Sequence, residues 1–205
     1  MKKKIGIFNL KINNIFSIYE ACVAAGFKAD IIDEKNKILN YDIIILPGIG
    51  SFKKAMKKLN SIYFKENIQN FLERKDKLLI GICLGMQLFF TLSEEFGKTS
   101  GLNLIEGKVK KIKKKLIVPH TGWNKIIKSK KDNFFFKKEY SQEMFYFTHS
   151  FVCVPNHKEN VIGKTNYNGF EFCSVVRKNN ILGMQFHPEK SAKNGINLIK
   201  NFKNF

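Results

Sequence analysis

The sequence predicts an α/β protein with a doubly wound, mostly parallel central sheet, helices on both faces of that sheet, and an additional antiparallel portion in its second half. Short runs that are almost wholly apolar, such as "YDIIILP", are typical of parallel strands covered on both sides. In the first half these runs alternate with helical segments, which is the pattern of a doubly wound sheet. After Gly97 shorter strand-like pieces replace the alternation.

The first half begins with the strand "KIGIFNL" and the helix "NIFSIYEACVAAGF", whose apolar residues recur at helical spacing until Gly26 closes it. "KADIID" and "YDIIILP" are the next two strands. A second helical region covers about Phe52 to Lys75, "KLLIGIC" is a further buried strand, and a helix runs from Gly85 to about Thr91. In such folds, ligands bind at the carboxyl ends of the strands.

The strand-like pieces of the second half are "KVKKI", "MFYFTHSFVCV" and "FCSVVRKNNILGMQFHP", in which "KNN" predicts a hairpin turn because Asn tolerates left-handed backbone. The lysine-rich stretch "GKVKKIKKKLIVPH" spaces Val109, Ile112 and Leu116 among lysines. That spacing predicts an edge strand or hairpin with a solvated face. "NGINLIKNFKNF" is an amphipathic helix.

Length and composition predict one domain over residues 1–205, because 44% of the 205 residues are hydrophobic and can form a substantial core. No apolar run reaches about 18 residues, and "IGIFNL" is too short for the core of a signal peptide, so we expect a cytoplasmic protein without a membrane partner. The four cysteines lie far apart without a CxxC pair. Reduced thiols are therefore expected, rather than a zinc ribbon or a disulfide framework.

The formal net charge of +19 raises the hypothesis of a basic binding protein for nucleic acid. Lys greatly outnumbers Arg, however, and Ile, Asn and Phe are also abundant, as AT-rich codon usage would produce. No set of aromatic residues for base stacking interleaves with the lysines. We therefore expect no nucleic-acid partner, although an acidic protein or a phosphorylated ligand would use the same charge.

Cys83 stands between two glycines in "GICLG", at the end of a predicted buried strand. This pattern fits a nucleophile elbow, in which a tight turn from strand to helix presents the nucleophile to substrate. A helix N-terminus favours the thiolate, and the amide of Leu84 would point at a developing oxyanion. The alternative is a packed structural cysteine, which needs no flanking glycines.

"QFHPEKS" supplies a general base and a group to orient it. His187 and Glu189 are two residues apart in an extended segment, so their side chains leave the backbone on the same side. His187 would take the Cys83 proton while Glu189 fixes the imidazole tautomer. Alternatively, the segment is a surface turn. A zinc site of the deaminase type is not indicated, because the chain lacks the later PCxxC, and we expect no metal.

The Gly-rich stretch "LPGIGSF" directly follows a buried strand. It lacks the lysine-serine ending of a phosphate-binding P-loop and the third glycine of a dinucleotide-binding motif. Gly48, Ile49 and Gly50 would instead present backbone N–H groups to the oxyanion of a tetrahedral intermediate.

Taken together, "GICLGMQ", "LPGIGSF" and "QFHPEKS" resemble the motifs of the class I, triad-type glutamine amidotransferases, and the resemblance extends from about Ile5 to the C-terminus. Within that class, "VPHTGWN" and "FYFTHSF" are most similar to the glutaminase subunits of imidazole glycerol phosphate synthases. The Met in "GMQ" separates the sequence from anthranilate-synthase and carbamoyl-phosphate relatives. The resemblance implies a flavodoxin-like glutaminase fold and cleavage of the glutamine side-chain amide, without a cofactor.

The resemblance also implies roles for further residues. Gln87 and Glu95 would bind glutamine together with the backbone around His149, Ser150 and Phe151. The residues at the ammonia exit would be Trp123, Asn124, Tyr146 and Lys190. Two plainer alternatives are that Glu95 lies at a solvated helix end and that Trp123 packs in the core.

The partner implied by the resemblance is a (β/α)8 cyclase subunit that receives ammonia and forms imidazole glycerol phosphate and an aminoimidazole carboxamide ribotide for histidine and purine synthesis. Two departures from the family pattern concern the acceptor. Lys11 and Asn13 stand where glycines are common, and Thr121 stands where Met is usual. A paralogous glutaminase that supplies ammonia for amidation of a surface sugar is therefore the alternative.

Overall fold

The computed structural model describes residues 2–11, 15–33, 35–61, 64–113, 115–128 and 143–205. In the first half, strands and helices alternate in the predicted order, and the second helical region consists of two helices. The elements are β1 (Lys4–Phe8), α1 (Phe16–Ala24), β2 (Lys28–Ile32), β3 (Ile43–Leu46), α2 (Phe52–Ser61), α3 (Phe64–Leu72), β4 (Leu78–Ile82) and α4 (Leu84–Leu88).

The second half consists mostly of strands. The elements are β5 (Phe90–Ser93), β6 (Thr99–Ser100), β7 (Ile105–Lys111), β8 (His120–Lys125), β9 (Ile127–Lys128), β10 (Met144–His149), β11 (Phe151–Pro155), β12 (Val161–Tyr167), β13 (Phe170–Lys178), β14 (Ile181–Met184) and α5 (Ala192–Lys200). The prediction that the helix after Cys83 reaches about Thr91 is wrong. The helix ends at Leu88, because Phe90 pairs with Ile105 as the first residue of β5.

The central part of the sheet is parallel, in the strand order β2-β1-β3-β4-β14. This is the order of a doubly wound flavodoxin-like sheet. β14 also pairs with β13, and the sheet continues through the antiparallel strands β13, β11 and β7. β8 and β10 form a separate antiparallel ribbon. The predicted parallel centre and antiparallel portion are both confirmed.

The lysine-rich strand β7 is not an edge strand, because it pairs with β11 on one side and β5 on the other. Its residues alternate between buried and exposed up to Lys110, so that Val109 is buried while Lys108 and Lys110 are exposed. The predicted solvated face is therefore present, but the predicted edge position is wrong. Periodicity of two shows which side chains face solvent and carries no information about how many neighbours a strand has.

Apolar side chains cover both faces of the parallel sheet, as β3 illustrates. Ile43 and Ile45 belong to the core cluster that contains residues of α1 and α5, whereas Ile44 and Leu46 belong to the cluster of α2, α3 and α4. Since the carboxyl ends of parallel strands meet at one edge of the sheet, the segments that follow β3, β4 and β14 come together there. Among the described residues, no helix is long and apolar enough to cross a membrane.

Candidate active site

Cys83 lies at a tight turn between β4 and α4, with φ 51° and ψ −104°. A non-glycine residue with positive φ is strained and persists only where its surroundings enforce it. The adjacent glycines are required by close packing. A Cβ atom at Gly85 would lie 1.9 Å from the Leu46 carbonyl oxygen, and one at Gly81 would lie 2.6 Å from the backbone of Met86. This is the geometry of a nucleophile elbow.

The thiol of Cys83 is surrounded by polar groups, although the residue is only 6% exposed. Its Sγ atom lies 4.0 Å from the Thr148 carbonyl oxygen and accepts a hydrogen bond from Gln185 Nε2 at 3.5 Å. Its backbone N–H donates to the Met184 carbonyl oxygen at 2.7 Å. The Cys83 backbone is thus held by β14, and the sulfur contacts β10 and the residue that directly follows β14.

The other three cysteines are buried. Burial, and to a lesser degree the charge of Glu189, raises the pKa of the Cys22 thiol to about 12. Burial likewise raises the pKa of Cys173 to about 12 and that of Cys153 well above its usual value. Since the thiolate is the nucleophile, these three side chains are poor candidates for attack on a substrate.

His187 and Glu189 form a buried pair directly after β14. His187 Nδ1 and Glu189 Oε1 are 2.7 Å apart, and His187 is 1% exposed. Because the carboxylate oxygen accepts, Nδ1 is the donor and Nε2 remains for another partner. Among the described residues Nε2 has no hydrogen-bond partner. This arrangement fixes the imidazole as a general base requires.

The pKa of His187 reflects opposing effects. Burial lowers it, but attraction to the Cys83 thiolate and the hydrogen bond to Glu189 act in the other direction and raise it to about 10. A raised pKa means that the protonated imidazole is stabilised next to the thiolate. The site is therefore electrostatically suited to a thiolate–imidazolium pair with a carboxylate behind it.

Gly48, Ile49, Gly50 and Leu84 line a cavity of about 290 Å³ that also contains Cys83. The Leu84 N–H donates to the Gly48 carbonyl oxygen at an N···O distance of 3.3 Å. The Gly48 carbonyl oxygen thus accepts the Leu84 N–H, which the sequence analysis predicts as a donor to the oxyanion. Rotation of the Gly48–Ile49 peptide would withdraw that oxygen and turn the Ile49 N–H toward the cavity. Gly50, at φ +130°, provides backbone freedom beside this peptide.

The residues expected to bind glutamine line the same cavity, namely Gln87, Glu95, His149, Ser150 and Phe151. Gln87 Nε2 donates to the Phe151 carbonyl oxygen at 3.2 Å. Glu95 is half-buried, and its Oε2 accepts the N–H of Phe52, the first residue of α2, at 2.7 Å. Glu95 is therefore not simply a solvated residue. It links the helix after the Gly-rich turn to the cavity.

The four residues assigned to the ammonia exit lie on or next to the β8–β10 ribbon. Trp123 is paired with Tyr146 in the register of the ribbon, and their ring centroids are 6.0 Å apart. Trp123 is 47% exposed, which rules out the alternative of core packing. Lys190 Nζ lies 6.0 Å from the centroid of the Tyr146 ring, and Asn124 Nδ2 donates to the Asn166 carbonyl oxygen at 2.9 Å.

Residues 10–204 match the family described as glutamine amidotransferase class-I. The chain belongs to this family. Curated relatives of this amidotransferase carry the name imidazole glycerol phosphate synthase subunit HisH. The protein of Chlorobaculum tepidum is 39% identical over 94% of this chain and 95% of its own length. That of Methanocaldococcus jannaschii is 41% identical over 97% of both chains.

Solved structures share the amidotransferase fold at lower sequence identity. A structure of PurLQS from Thermotoga maritima superposes with a TM-score of 0.80 at 20% identity, covering 100% of this chain and 99% of the other. A second structure, described as a glutamine amidotransferase, has a TM-score of 0.76 at 15% identity and covers 98% of this chain and 99% of the other. The predicted flavodoxin-like glutaminase fold is confirmed.

Three polar residues of the amidotransferase site were not singled out from the sequence. Buried Ser191 Oγ donates to the His187 carbonyl oxygen at 2.6 Å and accepts the Tyr146 N–H at 3.0 Å, so it joins the His187 loop to β10. Gln185 contacts the sulfur. His120 lies next to His149, with Nδ1 and Nε2 3.2 Å apart. A polar residue within an apolar run, such as Gln185 in "ILGMQF", is the available sequence signal.

His120 and His149 form a neutral buried pair. Burial lowers the pKa of His120 to about 4, and burial together with the neighbouring His120 lowers that of His149 to about 3. His149 Nδ1 lies 2.9 Å from the Phe151 carbonyl oxygen and must donate to it. His149 Nε2 therefore accepts from His120 Nδ1. The pair joins β8 to the segment of residues 148–151 that lines the cavity.

Proposed function

We propose that this chain is the glutaminase subunit of an imidazole glycerol phosphate synthase, which hydrolyses glutamine to glutamate and passes ammonia to a (β/α)8 cyclase partner. The partner would form imidazole glycerol phosphate and aminoimidazole carboxamide ribotide. The observation that carries the chemistry is the buried His187–Glu189 pair at the carboxyl end of β14, next to the Cys83 elbow. The names of the relatives support the proposal that a cyclase partner receives the ammonia. We further propose that residues 1–205 form one cytoplasmic domain.

In the proposed mechanism, the Cys83 thiolate attacks the carboxamide carbon of glutamine. His187 transfers its Nε2 proton to the amide nitrogen as the C–N bond breaks, which leaves a γ-glutamyl thioester and ammonia. The neutral imidazole then takes a proton from water, whose oxygen attacks the thioester carbon. Glutamate leaves, and the thiolate–imidazolium pair is restored. Glu189 keeps Nδ1 protonated through both steps.

The oxyanion of each tetrahedral intermediate needs donors that only a rearranged turn provides. Because the Gly48 carbonyl oxygen accepts the Leu84 N–H, that donor is not available to the developing negative charge. We propose that glutamine hydrolysis requires rotation of the Gly48–Ile49 peptide, which frees Leu84 N–H and adds Ile49 N–H. Binding of glutamine by Gln87, Glu95 and the backbone of residues 149–151 would occur next to this turn.

Ammonia is proposed to leave toward the face that carries Trp123, Asn124, Tyr146 and Lys190. His187 itself belongs to this side, because its N–H donates to the Tyr146 carbonyl oxygen at 2.9 Å. The proton donor is thus one strand away from the exposed Trp123 ring. A partner that covers this surface would receive ammonia before water protonates it.

The test uses the chain purified in complex with its cyclase partner. Cys83→Ala should abolish release of glutamate from glutamine, while synthesis from added ammonia continues, because the thiol serves only the hydrolysis. Cys173→Ala is the matched control: it removes a buried thiol of high pKa and should leave glutaminase activity in place. Full glutaminase activity in the Cys83→Ala complex would refute the mechanism.

The ammonia acceptor is tested separately by rescue of a histidine auxotroph that lacks its glutaminase subunit. Growth supported by this chain, and its loss in Cys83→Ala, would support the histidine pathway. The curated names do not favour the sugar-amidation alternative, which rested on residues 11 and 13 and on Thr121. Asn13 lies outside the described residues. Thr121 Oγ1 lies 3.3 Å from Thr148 Oγ1 across the ribbon.

A further inference from the structure

Gln185 is a fully buried polar residue between β14 and His187, with 0% exposure. Its backbone N–H donates to the Ser174 carbonyl oxygen at 2.9 Å, which fixes the position of its backbone on the sheet. From there its side chain reaches the nucleophile, with Nε2 3.5 Å from Cys83 Sγ. The proposed reaction of Cys83, His187 and Glu189 does not involve the Gln185 side chain.

The neighbours of Gln185 determine which end of its amide faces the sulfur. Gln87 Nε2 donates to the Phe151 carbonyl oxygen at 3.2 Å, and that oxygen can only accept. The other N–H of the same amino group points to Gln185 Oε1, at 3.4 Å. With its oxygen engaged by Gln87, Gln185 must present its NH₂ group to Cys83. An N–H donor therefore faces the sulfur. This orientation of Gln185 is set by the Phe151 carbonyl oxygen, which acts through Gln87.

A donor at this position distinguishes between the two protonation states of the thiol. Hydrogen bonds to an ionised acceptor are roughly twice as strong as those between neutral groups, so an N–H donor favours the thiolate over the thiol. Such a donor is important at a buried sulfur, because burying an anion without hydrogen-bond donors has a high free-energy cost. His187 supplies a counter-charge on one side, and Gln185 supplies a neutral donor from the sheet.

We propose that Gln185 is a thiolate-stabilising residue of this glutaminase, which donates a hydrogen bond to Cys83 Sγ in an orientation fixed by Gln87. The proposal rests on the proposed function, in which Cys83 is the nucleophile. Gln185 would then be a fourth side chain at the site, beside Cys83, His187 and Glu189. It also gives Gln87 a second role, since the residue expected to bind glutamine simultaneously sets the amide that faces the sulfur.

The titratable groups around the sulfur come from several elements. They are His187 and Glu189 after β14, His149 on β10, Cys153 on β11 and Glu95 after β5. His149 remains neutral over the neutral pH range, because burial keeps its pKa at about 3. Cys153 remains a thiol, because burial raises its pKa. Since His149 and Cys153 do not titrate near neutral pH, they do not contribute to a change in Cys83 ionisation caused by substitution of Gln185.

The experiment measures the rate at which iodoacetamide alkylates Cys83 as a function of pH, in complex with the cyclase partner, with the modified cysteine identified by mass spectrometry. Gln185→Met keeps the length of the side chain and removes the donor. We expect the midpoint of the alkylation profile to rise by about one to two pH units. The glutaminase kcat should fall about tenfold or more at neutral pH, with a smaller change in KM.

The matched control is Ser174→Ala. Ser174 is the backbone partner of Gln185, it is fully buried, and among the described residues its Oγ has no hydrogen-bond partner. This substitution alters the same part of the core without changing a donor at the sulfur, so the alkylation midpoint should stay at its wild-type value. Gln185→Glu keeps an acceptor for Gln87 and places a carboxyl group next to the sulfur. Its midpoint should rise at least as far as that of Gln185→Met.

An unchanged alkylation midpoint in Gln185→Met, with a raised KM for glutamine, would overturn the proposal and leave Gln185 as a support for Gln87 alone. Equal shifts in Gln185→Met and Ser174→Ala would overturn it in favour of general packing. Alkylation requires no glutamine turnover, so these outcomes are separate from a failure of the proposed function. That failure would appear as glutamate release that persists without Cys83.

Discussion

The Cys83 elbow and the Gly-rich turn are in direct contact and line the same cavity, yet they differ in their readiness for the proposed reaction. At the elbow the imidazole and the carboxylate are already paired, with His187 Nδ1 and Glu189 Oε1 2.7 Å apart. At the turn the Gly48 carbonyl oxygen accepts the Leu84 N–H that an oxyanion would need. Under the proposed mechanism, the pair that serves the attack is already formed in the folded chain, whereas stabilisation of the tetrahedral intermediate would depend on one peptide.

A turn that must rearrange before hydrolysis suits an enzyme whose product, ammonia, must not be lost to solvent. If the turn changes only when glutamine and the partner are both present, ammonia forms only when an acceptor is at hand. The surroundings of Cys83 hold it at the strained φ of 51°, whereas the glycines at positions 48 and 50 leave the turn more backbone freedom. Substitutions in the two regions should therefore have distinguishable effects.

The largest effect is expected at the elbow side of the cavity. His187→Asn retains a donor toward Glu189 but removes the group that protonates the leaving nitrogen. Glutamate release should fall at least about 10³-fold, while synthesis from added ammonia in the complex persists. His157→Asn, an exposed histidine on the surface, is the control and should retain activity. A loss of less than tenfold in His187→Asn would show that another group is the general acid.

A smaller effect is expected at the turn. Alanine is strained at the φ of +130° that Gly50 adopts, so Gly50→Ala should distort the turn and misplace the N–H groups that are proposed to bind the oxyanion. Loss of an oxyanion donor lowers kcat by about 10²-fold or more. Alkylation of Cys83 should keep its wild-type rate, because the elbow is untouched.

The control for Gly50→Ala is Gly26→Ala, since Gly26 has φ +91° at the end of α1 and no atom within 4 Å of an added Cβ. It carries the same kind of backbone strain away from the cavity and should reduce stability without a comparable loss of kcat. If Gly50→Ala slows alkylation and hydrolysis equally, the elbow and the turn are not independent.

The third prediction concerns charge at the elbow. Cys83→Ala removes the sulfur whose charge and hydrogen bond raise the pKa of His187, while burial still lowers that pKa and Glu189 still raises it. The pKa of His187 should therefore drop below the value of about 10 in the wild type. Imidazole ¹⁵N shifts followed by NMR during a pH titration would measure it.

The sign of the accompanying stability change follows from the same pKa. In the wild type the folded-state pKa is raised from 6.5 to about 10, so the stabilisation from protonated His187 is complete below pH 6.5 and is lost as the pH rises to about 10. In Cys83→Ala this loss should occur at lower pH. An unchanged His187 pKa in the variant would show that Glu189 alone sets it.

Sequence reasoning predicted the parallel half more fully than the antiparallel half. Buried parallel strands such as β3 and β4 are continuous apolar runs, which are easy to identify. β8 reads "HTGWNK" and β9 has only two residues, so neither carries an apolar pattern, and their pairing depends on strands distant in sequence. The lysines of β7 predict an edge strand or hairpin, and nothing within that stretch indicates that β7 pairs with both β5 and β11.

The candidate site shows a similar division. Motifs predicted which residues gather at the cavity, because glycines, cysteine and histidine at fixed spacing carry specific chemistry. The direction of the Gly48 carbonyl group was not predictable, since it depends on a hydrogen bond from Leu84, which is 36 positions away in the sequence. The contact of Gln185 with Cys83 joins residues 102 positions apart and likewise requires coordinates.

The position of β14 has a consequence for the biosynthesis of the protein. This strand lies at the centre of the sheet, between β4 and β13, and the segment after it carries Gln185, His187 and Glu189. Cys83 leaves the ribosome about a hundred residues earlier, and it lacks His187 and Gln185 as neighbours until β14 has inserted next to β4. If His187 and Gln185 have the proposed roles, we expect a nascent chain to be unable to hydrolyse glutamine until β14 has joined the sheet.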